Sequence, residues 1–174
     1  SSVFDAGTSL TLIEGYDGIV ALDGKLVLSS QSGTLEQSIL QNNVHVATFT
    51  YGGGQLNSKN GSVEAVWNLT EIALEDATGA GLNVSASSEE TQSGTISALI
   101  SGTGNITFSG GTVTVANEDN SYIGTTYVTG GTLELGSDNV LGQATAQNDL
   151  EVSGGTVNFG GHSQTLGTLT IDEG

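Results

Sequence analysis

Gly110-Gly111-Thr112-Val113-Thr114-Val115, Gly130-Gly131-Thr132-Leu133-Glu134-Leu135 and Gly154-Gly155-Thr156-Val157-Asn158-Phe159 are three versions of one phrase, set 20 and 24 residues apart. Each opens on a glycine pair and continues as threonine, apolar, polar, apolar. Alternation with period two is the pattern of a strand with one buried face, and the glycines read as the turn before it. A shorter echo follows in Gly167-Thr168-Leu169-Thr170-Ile171, and Gly94-Thr95-Ile96-Ser97 and Asn105-Ile106-Thr107-Phe108 belong to the same set upstream. A period of 20 to 24 residues holding two or three short strands is one coil of a solenoid.

The expected fold is therefore all-β, a parallel β-helix. Coils would stack at about 4.8 Å, apolar residues would fill a narrow interior, and threonines would occupy outward strand positions. Val113, Leu133 and Val157 are expected to point inward, with Leu135, Phe159, Phe108 and Phe49 as further interior fillers and Glu134 facing out. Gly111, Gly131 and Gly155 should hold equivalent corners, at least some of them at positive φ. Tyr122 and Tyr127 flank Gly124-Thr125-Thr126 and are expected to pack at a corner. At roughly 21 residues per coil the chain would make about eight coils, a rod on the order of 40 Å long. A β-sandwich also has short strands and glycine-rich turns and is the competing architecture. Residues 94–174 carry the regular repeats. Residues 1–93 show the same alternation, as in Leu10-Thr11-Leu12-Ile13 and Val44-His45-Val46-Ala47-Thr48-Phe49, but repeat less cleanly, and read as irregular coils with a loop over 85–93.

Composition agrees with a thin-cored, turn-rich chain. Glycine, serine, threonine and asparagine supply 81 of the 174 residues, and proline, which would remove ladder hydrogen bonds, does not occur. Nineteen acids face two lysines, Lys25 and Lys59, for a formal charge of -17. That charge excludes a basic nucleic-acid surface and disfavours anionic membranes. Without cysteine there are no disulfides, thiol chemistry or cysteine-based metal sites. No apolar run approaches the roughly 20 residues of a membrane span, and no signal peptide is visible at Ser1. The missing initiator methionine and the repeat-like sequence running up to Gly174 are what an excised fragment would show.

Residues able to do chemistry are present but do not form motifs. Glu75-Asp76, Glu89-Glu90, Glu118-Asp119 and Asp172-Glu173 are adjacent pairs, and neighbours along a strand point to opposite faces. They read as solvated turn residues. His45 alternates with Val44 and Val46 and should face water, while His162 lies in a glycine-rich turn. Neither a calcium loop nor metal-ligand spacing occurs, so no metal, cofactor or catalytic residue is assigned. Gly52-Gly53-Gly54 lacks the lysine and helix of a phosphate loop. Asn68-Leu69-Thr70, Asn83-Val84-Ser85 and Asn105-Ile106-Thr107 match the glycosylation triplet, as chance predicts in so asparagine- and threonine-rich a chain. Trp67 reads as either interior or half-covered at a seam, and the aromatics together read as core, not as a sugar-stacking ladder.

The stretch from Gly102-Thr103-Gly104-Asn105-Ile106-Thr107-Phe108 through Asn120-Ser121-Tyr122-Ile123-Gly124-Thr125-Thr126 to Gly130-Gly131-Thr132-Leu133 and Leu141-Gly142 resembles the passenger-associated transport repeat of type V autotransporters. Leu150-Glu151-Val152-Ser153-Gly154-Gly155-Thr156-Val157 continues the likeness, which covers about residues 94–174. The resemblance implies a right-handed β-helical passenger exported across a Gram-negative outer membrane to the cell surface or beyond. It implies a C-terminal outer-membrane β-barrel as partner and, for the regular half, an autochaperone role. On that basis the expected function is a noncatalytic stalk and folding module of an adhesin or virulence factor, monomeric in isolation and able to meet a host or bacterial surface protein or glycan. A β-helical carbohydrate-active or glycan-binding fragment is the rival, restricted to neutral polysaccharides because the charge of -17 repels acidic ones. A passive repeat of another surface or phage fibre protein is a third alternative.

Overall fold

The computed structural model describes residues 9–11, 19–21, 34–59, 62–86, 93–144 and 147–172. Among them every regular element is a strand. The first five are β1 (Ser9–Thr11), β2 (Ile19–Ala21), β3 (Thr34–Gln41), β4 (Val44–Lys59) and β5 (Ser62–Leu74). The middle five are β6 (Leu82–Ser85), β7 (Ser93–Ile96), β8 (Leu99–Gly102), β9 (Ile106–Gly110) and β10 (Thr112–Val115). The last five are β11 (Thr126–Val128), β12 (Thr132–Leu135), β13 (Leu150–Val152), β14 (Thr156–Asn158) and β15 (Leu169–Ile171).

From β5 onward the chain winds. β5, β6 and β7 each lie in a different sheet, and β8, β9 and β10 lie on them in parallel, in that order. β11, β13 and β15 extend the sheet of β6 and β9, and β12 and β14 extend that of β7 and β10. The third side continues without regular strand: Ser121 and Tyr122 donate their backbone N–H groups to the Ile100 carbonyl, and Ile123 donates to Gly102. The Gly-Gly-Thr phrases stack as their spacing demands, with Thr112 beside Thr132 and Thr132 beside Thr156. The result is a parallel β-solenoid of about four turns.

The expectation of about eight coils is corrected here, and with it the rod length, which becomes roughly 20 Å for the parallel stack. Part of the excess came from extending the coil over residues 34–70. Over 34–74 the strands pair antiparallel, β3 with β4 and β4 with β5. Asn42 and Asn43 form the two-residue turn between β3 and β4, at φ 51° and 63°. Both central residues at positive φ is the twist that matches a hairpin, and asparagine tolerates it. β1 pairs antiparallel with β2, and β2 with β6. The meander and the solenoid nevertheless share one core, in which Phe49, Ile72, Leu82, Ile96, Ile106, Val128 and Leu133 are all buried. Ile72-Ala73-Leu74 lies in β5, whose Glu71–Leu74 stretch bears the parallel partner β8. The Trp67 side chain, Glu89-Glu90 and most of the 85–93 loop lie outside the described residues.

Candidate functional site

The corners are where this fold concentrates polar side chains, and three asparagines hold them. Asn105 immediately precedes β9 and is buried. Its Oδ1 accepts the backbone N–H of Thr125 one coil on at 2.8 Å, and its Nδ2 donates to the Gly79 carbonyl one coil back at 2.8 Å. Asn120, fully buried, accepts the Ile100 N–H at 2.8 Å and donates to the Val140 carbonyl at 2.8 Å, so one side chain ties three successive coils. Asn148 donates to the Tyr122 carbonyl at 2.7 Å. An amide side chain presents a donor and an acceptor on opposite sides, which is what a buried bridge between stacked backbones requires. Removing one strands backbone groups away from water, at about 1–3 kcal/mol per group.

Asp149 completes the series. It precedes β13 as Asn105 precedes β9, and its Oδ1 accepts the Thr168 N–H at 2.8 Å. Asparagine at a corner is commonly there because it tolerates positive φ. That holds for Asn42, Asn43 and Asn139, but not for the three buried bridges. The signal that could have found them is positional: a short amide or carboxylate directly before a repeated strand, as in Asn105-Ile106 and Asp149-Leu150.

The residues singled out from sequence lie within the stack, and two sets of them differ from their counterparts in earlier coils. Val113, Leu133 and Leu135 are buried in the core. Gly111 and Gly131 both turn at φ 67°, and a Cβ on Gly131 would collide with the Gly111 carbonyl oxygen of the coil below. Gly155 departs from them: its φ is not positive, and it is held to glycine by crowding, since a Cβ would lie 2.7 Å from Val128 Cγ1. Val157 and Phe159 are the second set. They pack against the core but remain half-buried, because no described strand lies on the far side of β14. Tyr122 is buried at its corner, its hydroxyl 2.6 Å from Thr126 Oγ1, and burial pushes the phenol's pKa up. Gly124 lets the chain pass against Gly104, where a Cβ would strike the Gly104 carbonyl. Glu134 is half-buried on the outer side, 3.4 Å from Thr114 Oγ1.

Several carboxylates accept hydrogen bonds from neighbouring threonine and serine residues. The backbone N–H and hydroxyl of Thr78 hold the Asp76 carboxyl below its ordinary pKa. Glu71 accepts the Ser101 hydroxyl at 2.6 Å, and Glu75 accepts that of Thr48 at 3.2 Å. His162 Nδ1 lies 3.4 Å from Asp138 Oδ1 on the surface, and exposed His45 meets the Thr48 hydroxyl. Among the described residues no group of three histidine or acidic side chains converges as a metal site would. Of the glycosylation triplets, Asn105 is spent on its bridge, Asn68 is half-buried in β5, and Asn83 is exposed. Tyr127, on the outer side of β11, lines a shallow cavity of about 330 Å³ with Thr78, Thr107 and Thr129.

No protein-family model matches the chain, and no solved structure matches it. It is similar to "Uncharacterized protein YuaQ" of Escherichia coli (strain K12), 28% identical over 176 residues. The match takes in 95% of this chain but spans only 13% of that relative.

Proposed function

We propose that the chain is a noncatalytic β-solenoid segment of a longer exported surface protein, serving as stalk and folding module. The observation that carries this reading is the bridging of successive coils by Asn105, Asn120 and Asn148. These amides, the residue type a binding site would use for recognition, are consumed in fixing coil to coil. A stalk needs that stiffness, and a chain crossing a membrane unfolded needs a register that re-forms without disulfides. The resemblance of residues 94–174 to the autotransporter transport repeat supports the same reading. It adds right-handed winding, the hand that parallel crossovers adopt in nearly all sheets. It also adds an outer-membrane barrel as partner, a cell-surface or extracellular location, and an autochaperone role within an adhesin or virulence factor. The test is surface display of the full-length protein carrying Leu133→Asn or Val46→Asn. The folding-module reading expects Leu133→Asn to reduce folded protein at the surface more strongly. Equal display of both variants would leave a stalk without that role.

A second reading, recognition of a neutral glycan, is favoured by the Tyr127 cavity, where an aromatic side chain stands among Thr78, Thr107 and Thr129. Binding to a neutral glycan panel, lost in Tyr127→Ala with the thermal midpoint unchanged, would establish it.

A further inference from the structure

We infer that the β14–β15 end of the solenoid is a docking edge for one further coil of the same polypeptide, a parallel segment with apolar residues at alternate positions. Burial changes abruptly along the two inward columns of the largest sheet. Val128 is 0% exposed, Val152 beside it 8%, and Ile171 beside that 65%. In the neighbouring column Leu150 is 1% exposed and its partner Leu169 is 49% exposed. With Val157 and Phe159 these side chains line a groove of about 240 Å³.

The backbone is open at the same residues. Leu150 donates to the Thr168 carbonyl, and Asp172 donates to the Val152 carbonyl. Parallel strands alternate in which residues bond to a given neighbour. With 168 and 172 bonded to β13, the N–H and C=O groups of Leu169 and Ile171 point the other way, along the stack. Thr156 likewise donates to the carbonyl of Gly131, the residue just before β12, which turns the polar groups of Val157 outward along the axis. Among the described residues no strand occupies either edge. Side-chain column and hydrogen-bonding edge thus ask for the same object in the same register.

Two arguments select a connected coil over a second copy of the chain. A copy would bring another -17 of charge to an end already carrying Glu151 and Asp172. The groove is also lined by only eight residues, against about 20–30 residues a side in a stable interface. A coil on the same polypeptide meets the edge at high effective concentration and does not need that extent. The similar protein, in which the matched stretch is 13% of the length, offers room for such continuation. The inference rests on the solenoid-segment reading but is tested apart from it, because its readout is local to the edge and does not involve display.

The experiment extends the chain after Gly174 with a copy of residues 156–172, which preserves a 19-residue step, as between β13 and β15. A control extension carries Asp at the copied positions of Val157, Leu169 and Ile171. Amide exchange at Leu169 and Ile171 should slow by about tenfold or more in the first protein and stay unchanged in the control. The thermal midpoint should rise only in the first. Equal exchange in both extensions would overturn the inference. So would a parent chain that already protects these amides as a concentration-dependent dimer, dispersed by Ile171→Asp, since a second copy would then be the occupant.

Discussion

Asp149 Oδ1 accepts the backbone N–H of Thr168 at 2.8 Å, repeating at the next coil but one what Asn105 Oδ1 does for Thr125. The two differ in their second atom. Asn105 also donates through Nδ2 to Gly79, a bond a carboxylate cannot make. Asp149→Asn should therefore be nearly neutral in urea denaturation. Asn105→Asp should cost about 1–3 kcal/mol, because it places a buried carboxylate against a carbonyl oxygen. Asn120→Ala, which abandons Ile100 N–H and the Val140 carbonyl together, should cost about 2–4 kcal/mol on the same scale.

Leu133 and Val157 occupy the same column, yet their substitutions should differ. Leu133 is fully buried, with strands on both sides, so Leu133→Ala should cost about 2–4 kcal/mol. Val157 is half-buried at the open edge, and Val157→Ala should cost about 1 kcal/mol or less. Chemical denaturation of the two variants measures the gap, and equal losses would contradict the exposure gradient.

Alkaline pH should destabilise the fold through two tyrosines. Tyr51 and Tyr122 are buried, and burial keeps each phenol neutral above its ordinary pKa; the Thr126 bond opposes this at Tyr122 only in part. The Tyr51 hydroxyl has no hydrogen-bond partner that would favour the phenolate. An unfolded tyrosine ionises near pH 10, so the contribution is complete below that pH. Above it, stability falls by about 1.4 kcal/mol per pH unit for each tyrosine. Tyr122→Phe should roughly halve the slope of unfolding free energy against pH between about 10 and 11.5.

The excess of acids gives the opposite response to salt from that of a protein built on ion pairs. Nineteen carboxylates and two lysines leave most acids unpaired, so the folded chain repels itself. Stability should rise between about 10 mM and 150 mM sodium chloride as the repulsion is screened. A rise produced by calcium alone, at matched ionic strength, would reveal an ion site.

The solenoid half was legible because its repeat is a statement about register. Glycine pairs at 110, 130 and 154 stack only if Thr112, Thr132 and Thr156 are neighbours, and they are. The stretch 34–74 was misread because period-two alternation describes a half-buried strand whatever the direction of its neighbour. Val46, Phe49 and Ile72 point inward in an antiparallel meander as they would in a coil. The cue that separates the two was the Asn42-Asn43 pair between Gln41 and Val44. The bridging asparagines were hidden for a different reason. A corner asparagine reads as a turn former until its partner is known, and the partner of Asn120 stands 20 residues away in each direction.

The ladder hydrogen bonds of β9, β11, β13 and β15 run along the axis of the stack rather than across it. A tensile load on the two ends of such a segment would therefore act on a few bonds at a time, at the outermost coil, as in opening a zipper. Each coil of 20 to 24 residues between successive strands should be released as one step of about 70–85 Å of contour length. The antiparallel meander over 34–74 should answer the same load with different step lengths. Force spectroscopy would then read the boundary between the two architectures as a change in step size.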